Sequence, residues 1–260
     1  MLNIWKYRKF LWGSSIAELR NRYAGSSLGV FWNVIQPLLQ ILIFTFVFSQ
    51  IMMAKLPSME SSTAFAIYLC AGMLPWGSFS EIIIRGSNAF IENSTYLKKL
   101  SIPEYIFIFQ IGITAGIVSC ITMLILFLVI VVLGYSVTLL WLLVPLILIL
   151  FLLFGIGLAL LFSCINVFFK DVGQILGTVM QIWMWLTPIV YVKELIPASF
   201  SQIIVFNPAY YFIGSLQQVI VFSTIPSISH WLWMIIVTFI SLIIGILVLK
   251  KLRFEVRDVI

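Results

Sequence analysis

Ionisable side chains are the scarcest material in this sequence. Only 9% of its 260 residues are Asp, Glu, Lys or Arg, against about a quarter in an ordinary soluble domain. A chain this poor in charge cannot solvate a globular surface, which excludes a separate soluble domain. Histidine occurs once, at His230, which excludes His-rich metal sites and most acid–base machinery. The three cysteines, Cys70, Cys120 and Cys164, lie inside apolar runs. Their spacing fits neither a disulfide framework nor a metal site, and they are expected to be small buried hydrophobes. No G-x-x-x-x-G-K-[ST] is present, so ATP is not held by a P-loop of this chain. Gly155-x-Gly157 lacks the strand and phosphate context of a nucleotide loop. Glu81 is the one acidic residue inside an apolar run, and it sits near the run's end. Ion-coupled carriers and intramembrane hydrolases need ionisable groups at the bilayer midplane, and none is offered here.

What is present is hydrocarbon. Hydrophobic residues make up 62% of the chain and the mean hydropathy is +1.16. The apolar runs are continuous rather than alternating, so the fold class is an all-α membrane protein and not a β-barrel. Six spans are expected near residues 31–53, 63–84, 105–133, 139–162, 172–192 and 231–249, each near the 20 residues that cross a bilayer core. The first apolar run begins only around Val30 and has full span length, so no cleavable signal peptide is expected. Thirteen of the fifteen basic residues fall in residues 1–30, the 85–104 and 163–171 loops and the tail from Lys250; only Lys55 and Lys193 fall elsewhere. This sorting predicts that both termini are cytoplasmic.

The stretch from Glu18 to Phe48 organises the rest. It runs from a basic approach segment through the corner Ala24-Gly25-Ser26-Ser27 into the first apolar run. In residues 1–29, Trp5, Trp12, Ile16, Leu19 and Tyr23 recur at helical spacing, with Arg8, Ser15, Glu18 and Arg22 on another face. This predicts an amphipathic helix lying in the membrane surface; a loose basic tail is the alternative. Residues 196–222 are apolar but broken at Asn207-Pro208 into runs of 11 and 13 residues. Each run is about 16 to 20 Å long, too short to cross about 30 Å of hydrocarbon. The segment 196–225 is therefore read as an outer re-entrant helical hairpin, or else as an amphipathic loop on the lipid. The 85–104 loop holds one short possible helix, Ser94 to Lys99, stopped before Pro103. It is either a lever for a soluble partner or a solvated connector. Pro37, Pro75, Pro145 and Pro188 are expected at kinks or span ends. Gly112-xxx-Gly116 and Gly155-x-Gly157 are expected where helices approach closely.

Leu19-Arg20-x-Arg22-Tyr23-x-Gly25-Ser26-x-Leu28-Gly29-x-x-Trp32, followed by Pro37, resembles the N-terminal motif of ABC-2 type transporter permeases of the polysaccharide-export branch. These are the transmembrane subunits of O-antigen, capsule and teichoic-acid exporters. The likeness continues through Leu97-Lys98-Lys99 and Pro103, Lys170-Asp171-Val172-Gly173, Leu186-Thr187-Pro188 and Tyr191, and Phe206-Asn207-Pro208. The chain departs from the family at Ile102-Pro103-Glu104, where Phe-Pro-Arg-Glu is frequent, and at Lys170, where Arg is frequent.

The resemblance implies one ABC-2 transmembrane domain over residues 1–260, in a homodimer with two copies of a separate P-loop ATPase that carries ATP and Mg. It implies a bacterial inner-membrane exporter of an undecaprenyl-pyrophosphate-linked glycan, O-antigen foremost, and no cofactor in this chain. On that basis Arg20, Arg22 and Arg85 are the candidates for the pyrophosphate. Phe44, Phe48, Trp76, Phe79, Trp183, Trp185 and Tyr191 are the candidate aromatic lining of the passage. Ser94, Tyr96, Leu97, Lys98 and Lys99 would couple to the ATPase. Phe206, Asn207, Pro208, Tyr210 and Tyr211 would form the external gate. The rivals are an ABC-2 exporter of drugs or small lipids, and a membrane enzyme of lipid-glycan metabolism.

Overall fold

The computed structural model describes residues 4–51, 56, 61–99, 102–193 and 204–260. The described helices are α1 (Arg8–Asn21), α2 (Trp32–Phe46, continued by a π-helical turn Val47–Ile51), α3 (Ser62–Glu92), α4 (Ser94–Lys99), α5 (Tyr105–Val132), α6 (Val144–Phe168), α7 (Val172–Leu186), α8 (Pro208–Ile220) and α9 (Ile228–Val259). Among the described residues, five stretches are long and apolar enough to cross a membrane: Gly29–Ile51, Ser62–Glu92, Tyr105–Val132, Leu139–Phe168 and Ile228–Val259. They coincide with five of the six expected spans and make this a multi-pass membrane protein. The span expected at 172–192 is instead the 15-residue α7, about 22 Å long.

Helix α6 is the hub of the bundle, and small residues set its distances. A Cβ on Gly245 of α9 would lie 2.5 Å from the Gly157 carbonyl oxygen and 2.8 Å from Leu160 Cβ. A Cβ on Gly157 would run into Ser241. On the side facing α3, Gly86 leaves only 2.6 Å between a built Cβ and Ala159 Cβ. Gly112 of α5 does the same against Ile156, at 2.5 Å. Without a hydrophobic effect between helices in lipid, such close approach is what holds them. Around these contacts an aromatic core forms: Phe79 stacks on Phe151 at 4.2 Å, Phe154 lies nearly parallel to Phe212 at 5.6 Å, and Trp183 meets Phe79 edge-on at 5.6 Å.

The expected prolines divide by role. Pro37 and Pro75 lie inside α2 and α3, Pro145 sits in the first turn of α6, and Pro188 follows the end of α7. Cys70 and Cys164 are buried as expected, whereas Cys120 faces outward from α5. A helix apolar all round gives no sign of which side packs.

Asn207 explains why α7 stops where it does. Its Oδ1 accepts from Trp183 Nε1 at 2.8 Å and from the Ala209 amide at 3.1 Å. Its Nδ2 donates to Thr187 Oγ1 at 2.8 Å and to the Leu186 carbonyl at 3.2 Å. One side chain thus caps α8, into which Pro208 leads, and takes up a carbonyl freed at the end of α7. Gln217 of α8 donates to the Pro188 carbonyl at 3.3 Å, and Tyr68 of α3 donates to the same carbonyl at 3.3 Å. The first half of the expected hairpin, 196–206, lies mostly outside the described residues.

Gly245→Ala should lower stability in detergent by about 1–3 kcal/mol through overpacking, whereas Gly177→Ala, with nothing within 4 Å of its built Cβ, should not destabilise; thermal melting of the two purified variants checks the pair. Asn207→Ala should cost about 2–4 kcal/mol for the bonds it strips and shift Trp183 fluorescence, separated from that of the other eight tryptophans as the difference from Trp183→Phe.

Candidate functional site

Most of the chain's charge gathers at one end of the bundle. Glu18 of α1, Arg22 just after it, and Glu81 and Arg85 of α3 form a closed ring. Arg22 Nη2 lies 2.5 Å from Glu81 Oε1, Arg85 Nη1 lies 2.8 Å from the same oxygen, and Arg85 Nη2 lies 2.5 Å from Glu18 Oε1. Glu81 and Arg85 stand one helical turn apart, as do Glu18 and Arg22, so each helix presents one acid and one base. Glu18 Oε2 also accepts from Gln110 at 3.3 Å and Thr114 at 3.1 Å, both of α5. The ring is neutral and half-buried, and it ties α1 to α3 and α5.

Below the ring opens a polar cleft of about 160 Å³, lined by Arg22, Tyr23, Asn33, Gln36, Gln40, Ser78, Glu81 and Thr122 among others. Tyr23 donates to Gln36 at 2.9 Å. Asn33 donates to the Val30 carbonyl at 3.0 Å, while its buried Oδ1 has no partner among the described residues. Two of the candidate phosphate contacts, Arg22 and Arg85, therefore meet in one ring with carboxylates already in place. The third, Arg20, is exposed and has no ion pair among the described residues.

Helix α1 is present, but its buried face is Leu11, Ser15 and Leu19, packed on α5. Ser15 donates to the Gln110 carbonyl at 3.2 Å. Trp5 and Trp12 stand exposed on the outside. Helix α4 forms at the expected residues. Leu97 is its one buried side chain, while Tyr96, Lys98 and Lys99 are exposed and Ser94 is partly so.

The candidate aromatic liners do not share one surface. Phe79 has no exposed area and Trp76 only 5%; both rings pack within the core, so in this chain they build packing rather than a wall. Trp183 is partly buried beside them. Phe44 and Phe48 meet edge-on along α2 at 6.4 Å. Trp185 is exposed. Tyr191 donates to the Trp185 carbonyl at 3.0 Å.

The gate candidates also separate. Phe206 is 88% exposed, whereas Asn207 is buried in its clasp. Tyr210 accepts from Lys193 Nζ at 3.0 Å, and Tyr211 donates to the Val205 carbonyl at 2.8 Å. Pro208 and Tyr211 also border an apolar cleft of about 490 Å³, shared with Phe154, Trp183 and Trp233.

Three features escaped the sequence reading. The first is the ring itself, whose acids and bases come from distant segments. The second is the pairing of Glu104 with Arg253 and Arg257. The third is the outer face of α7. Leu176 and Met180 are that helix's only fully buried side chains. On the opposite side, Gln174, Thr178, Gln181 and Trp185 line up at helical spacing and all are exposed. Beside them runs an exposed apolar stripe, Ile175, Val179, Ile182 and Leu186. The spacing of this polar stripe was available as a signal; which side faced inward was not.

The motif Lys170-Asp171-Val172-Gly173 has a packing role. The Gly173 amide donates to Asn166 Oδ1 at 3.0 Å, and Asn166 Nδ2 donates to Asn88 Oδ1 and the Ser87 carbonyl, each at 3.0 Å. A Cβ on Gly173 would lie 2.6 Å from Asn88 Oδ1. The start of α7 is thereby pinned to α3 and α6.

Comparison with known proteins follows the same lines. Two proteins of Klebsiella pneumoniae named O-antigen export system permease protein RfbA are 26% and 27% identical to this chain over 244 and 247 residues. Each alignment covers 94% of this chain and 92% of the relative. A protein of the same name from Myxococcus xanthus is 26% identical over 223 residues, 83% of this chain and 82% of its own length. The model of the ABC-2 type transporter family matches residues 11–221, and the chain belongs to that family.

Proposed function

We propose that this chain is the transmembrane subunit of an ATP-driven exporter that moves a lipid-linked polysaccharide, O-antigen foremost, across the bacterial inner membrane. The observation that carries the reading is the polar face of α7. Gln174, Thr178 and Gln181 look away from the chain's own bundle at a depth where a polar group facing lipid is unfavourable. An aqueous passage between two copies of the chain answers that demand, and amides and hydroxyls suit a hydroxyl-rich cargo that must not bind tightly. Trp185 on the same stripe, with Phe44, Phe48 and Tyr191, adds flat faces for sugar rings. The relatives named as O-antigen export permeases support the cargo class.

In this reading the chain crosses the membrane six times, with α7 and the turn after it as the fifth crossing. Both termini are cytoplasmic, α1 lies at the inner interface, and α8 belongs to a hairpin that enters from outside. The glycan's pyrophosphate arrives at the inner face, where exposed Arg20 makes the first contact. Arg22 and Arg85 follow only as the phosphate displaces Glu18 and Glu81, so the ring discriminates against weaker anions. Two copies of a P-loop ATPase, holding ATP and Mg, press on α4. The chain itself carries no catalytic group. The apolar cleft beside Phe154 and Trp233 favours a second reading, export of a drug or small lipid, in which that cleft and not α7 would hold the cargo.

Replacing Gln174, Thr178 and Gln181 together by Leu should cut surface polysaccharide by about tenfold or more, as several hydrogen-bonding positions are lost, while Ile175, Val179 and Ile182 to Ala should leave it near normal. Immunoblots of surface glycan at matched membrane levels compare the two, and equal export in both would remove the passage from α7. Lys98 and Lys99 changed to Glu should leave the chain inserted but uncouple ATP hydrolysis from export in reconstituted vesicles; unchanged export would remove α4 as the lever.

A further inference from the structure

A second charge cluster lies at the inner end, apart from the ring. Glu104 stands at the N-terminus of α5, directly after the α4 loop, with its side chain 2% exposed. Two guanidiniums close on it, both from the last turns of α9. Arg253 Nε lies 3.2 Å from Glu104, and Arg257 Nε pairs with its Oε1. Arg257 Nη2 also donates to the Ile102 carbonyl at 3.2 Å. Arg253 and Arg257 are four residues apart and share one face of α9. Val256 on that side is fully buried in the same apolar cluster as Leu97 of α4 and Leu249. A desolvated carboxylate held this way stays in place, because withdrawal of either partner strands a buried charge.

We infer that α4 and the last turns of α9 form one coupling unit, with Glu104 as the positioning residue that joins them. The inference rests on the reading that α4 receives the push of an ATPase. Displacement of α4 reaches α9 through the apolar cluster that holds both Leu97 and Val256 and through the Glu104 pairs. From α9 it reaches α6 through the Gly157–Gly245 contact, where no slack exists. The physical basis is a continuous chain of packed and ion-paired groups.

The test uses Glu104→Gln and the charge swap Glu104→Arg with both Arg253→Glu and Arg257→Glu, which reverses all three charges, each with two readouts. The first is a nitroxide on Lys99→Cys in a Cys120→Ser background, Cys70 and Cys164 being buried, read in the purified chain. Glu104→Gln should raise the label's mobility and the swap should restore it. The second is glycan exported per ATP hydrolysed in the reconstituted complex with its ATPase. This ratio should fall about three- to tenfold in Glu104→Gln, with ATPase binding retained, and recover in the swap. A label as immobile in Glu104→Gln as in the parent overturns the inference, as does a mobile label with an unchanged export ratio or a swap that restores neither. If the parent complex moves no glycan, the functional reading fails, and the label alone decides whether Glu104 positions α4.

Discussion

A carbonyl or amide at hydrocarbon depth has no water to turn to, and much of this structure is arranged around that single constraint. Where helices stay regular, the backbone satisfies itself. Where α7 ends early and α8 begins, the freed groups need side chains, and Asn207, Thr187, Gln217 and Tyr68 supply them. Asn166 does the same where α7 starts, between Asn88 and the Gly173 amide. These polar side chains are few and buried, and each is spoken for by backbone or by another amide. They mark the two ends of α7, the helix whose outer face is polar, and they hold it to the bundle without covering that face.

The same constraint separates the two kinds of charge in the chain. Lysines such as Lys98 and Lys99 remain exposed, whereas Arg22, Arg85, Arg253 and Arg257 are matched to carboxylates that are half or wholly withdrawn from solvent. Guanidinium is the cation suited to such sites, since its planar donors serve two oxygens at once. Among the described residues the charge is therefore not a uniform basic rim but includes two braced clusters, with exposed lysines such as Lys98 and Lys99 outside them.

Much of this was legible in the sequence, and the limits have a physical origin. The membrane class, the long helices α2, α3, α5, α6 and α9, the α4 segment and the break at Asn207-Pro208 follow from run length, charge sorting and turn chemistry. Those are local properties. Pro188 marked a helix end near Leu186, but the clasp that satisfies that end was not legible, because it depends on an asparagine that follows only after the turn. Trp76 and Phe79 suit sugar stacking by side-chain type alone, and α3 is apolar on most sides, so periodicity does not tell core from surface there; twenty of its residues are buried. Glu81 and Glu104 stood out as acids in an apolar chain, but an acid does not name its partner. Arg85 stands one turn from Glu81 on α3, but Arg22, just after α1, and Arg253 and Arg257 of α9 are brought to these acids only by packing.

The intimate seam between α6 and α9 carries a consequence for how the protein is made. Gly157 and Gly245 meet with no room to spare, yet 88 positions of sequence separate them. During synthesis α6 enters the membrane with its tightest groove empty. That groove stays open to lipid until α9 follows. Closing the centre therefore waits on a keystone helix, and a stop before residue 245 would remove the glycine that lets α9 seat against Gly157.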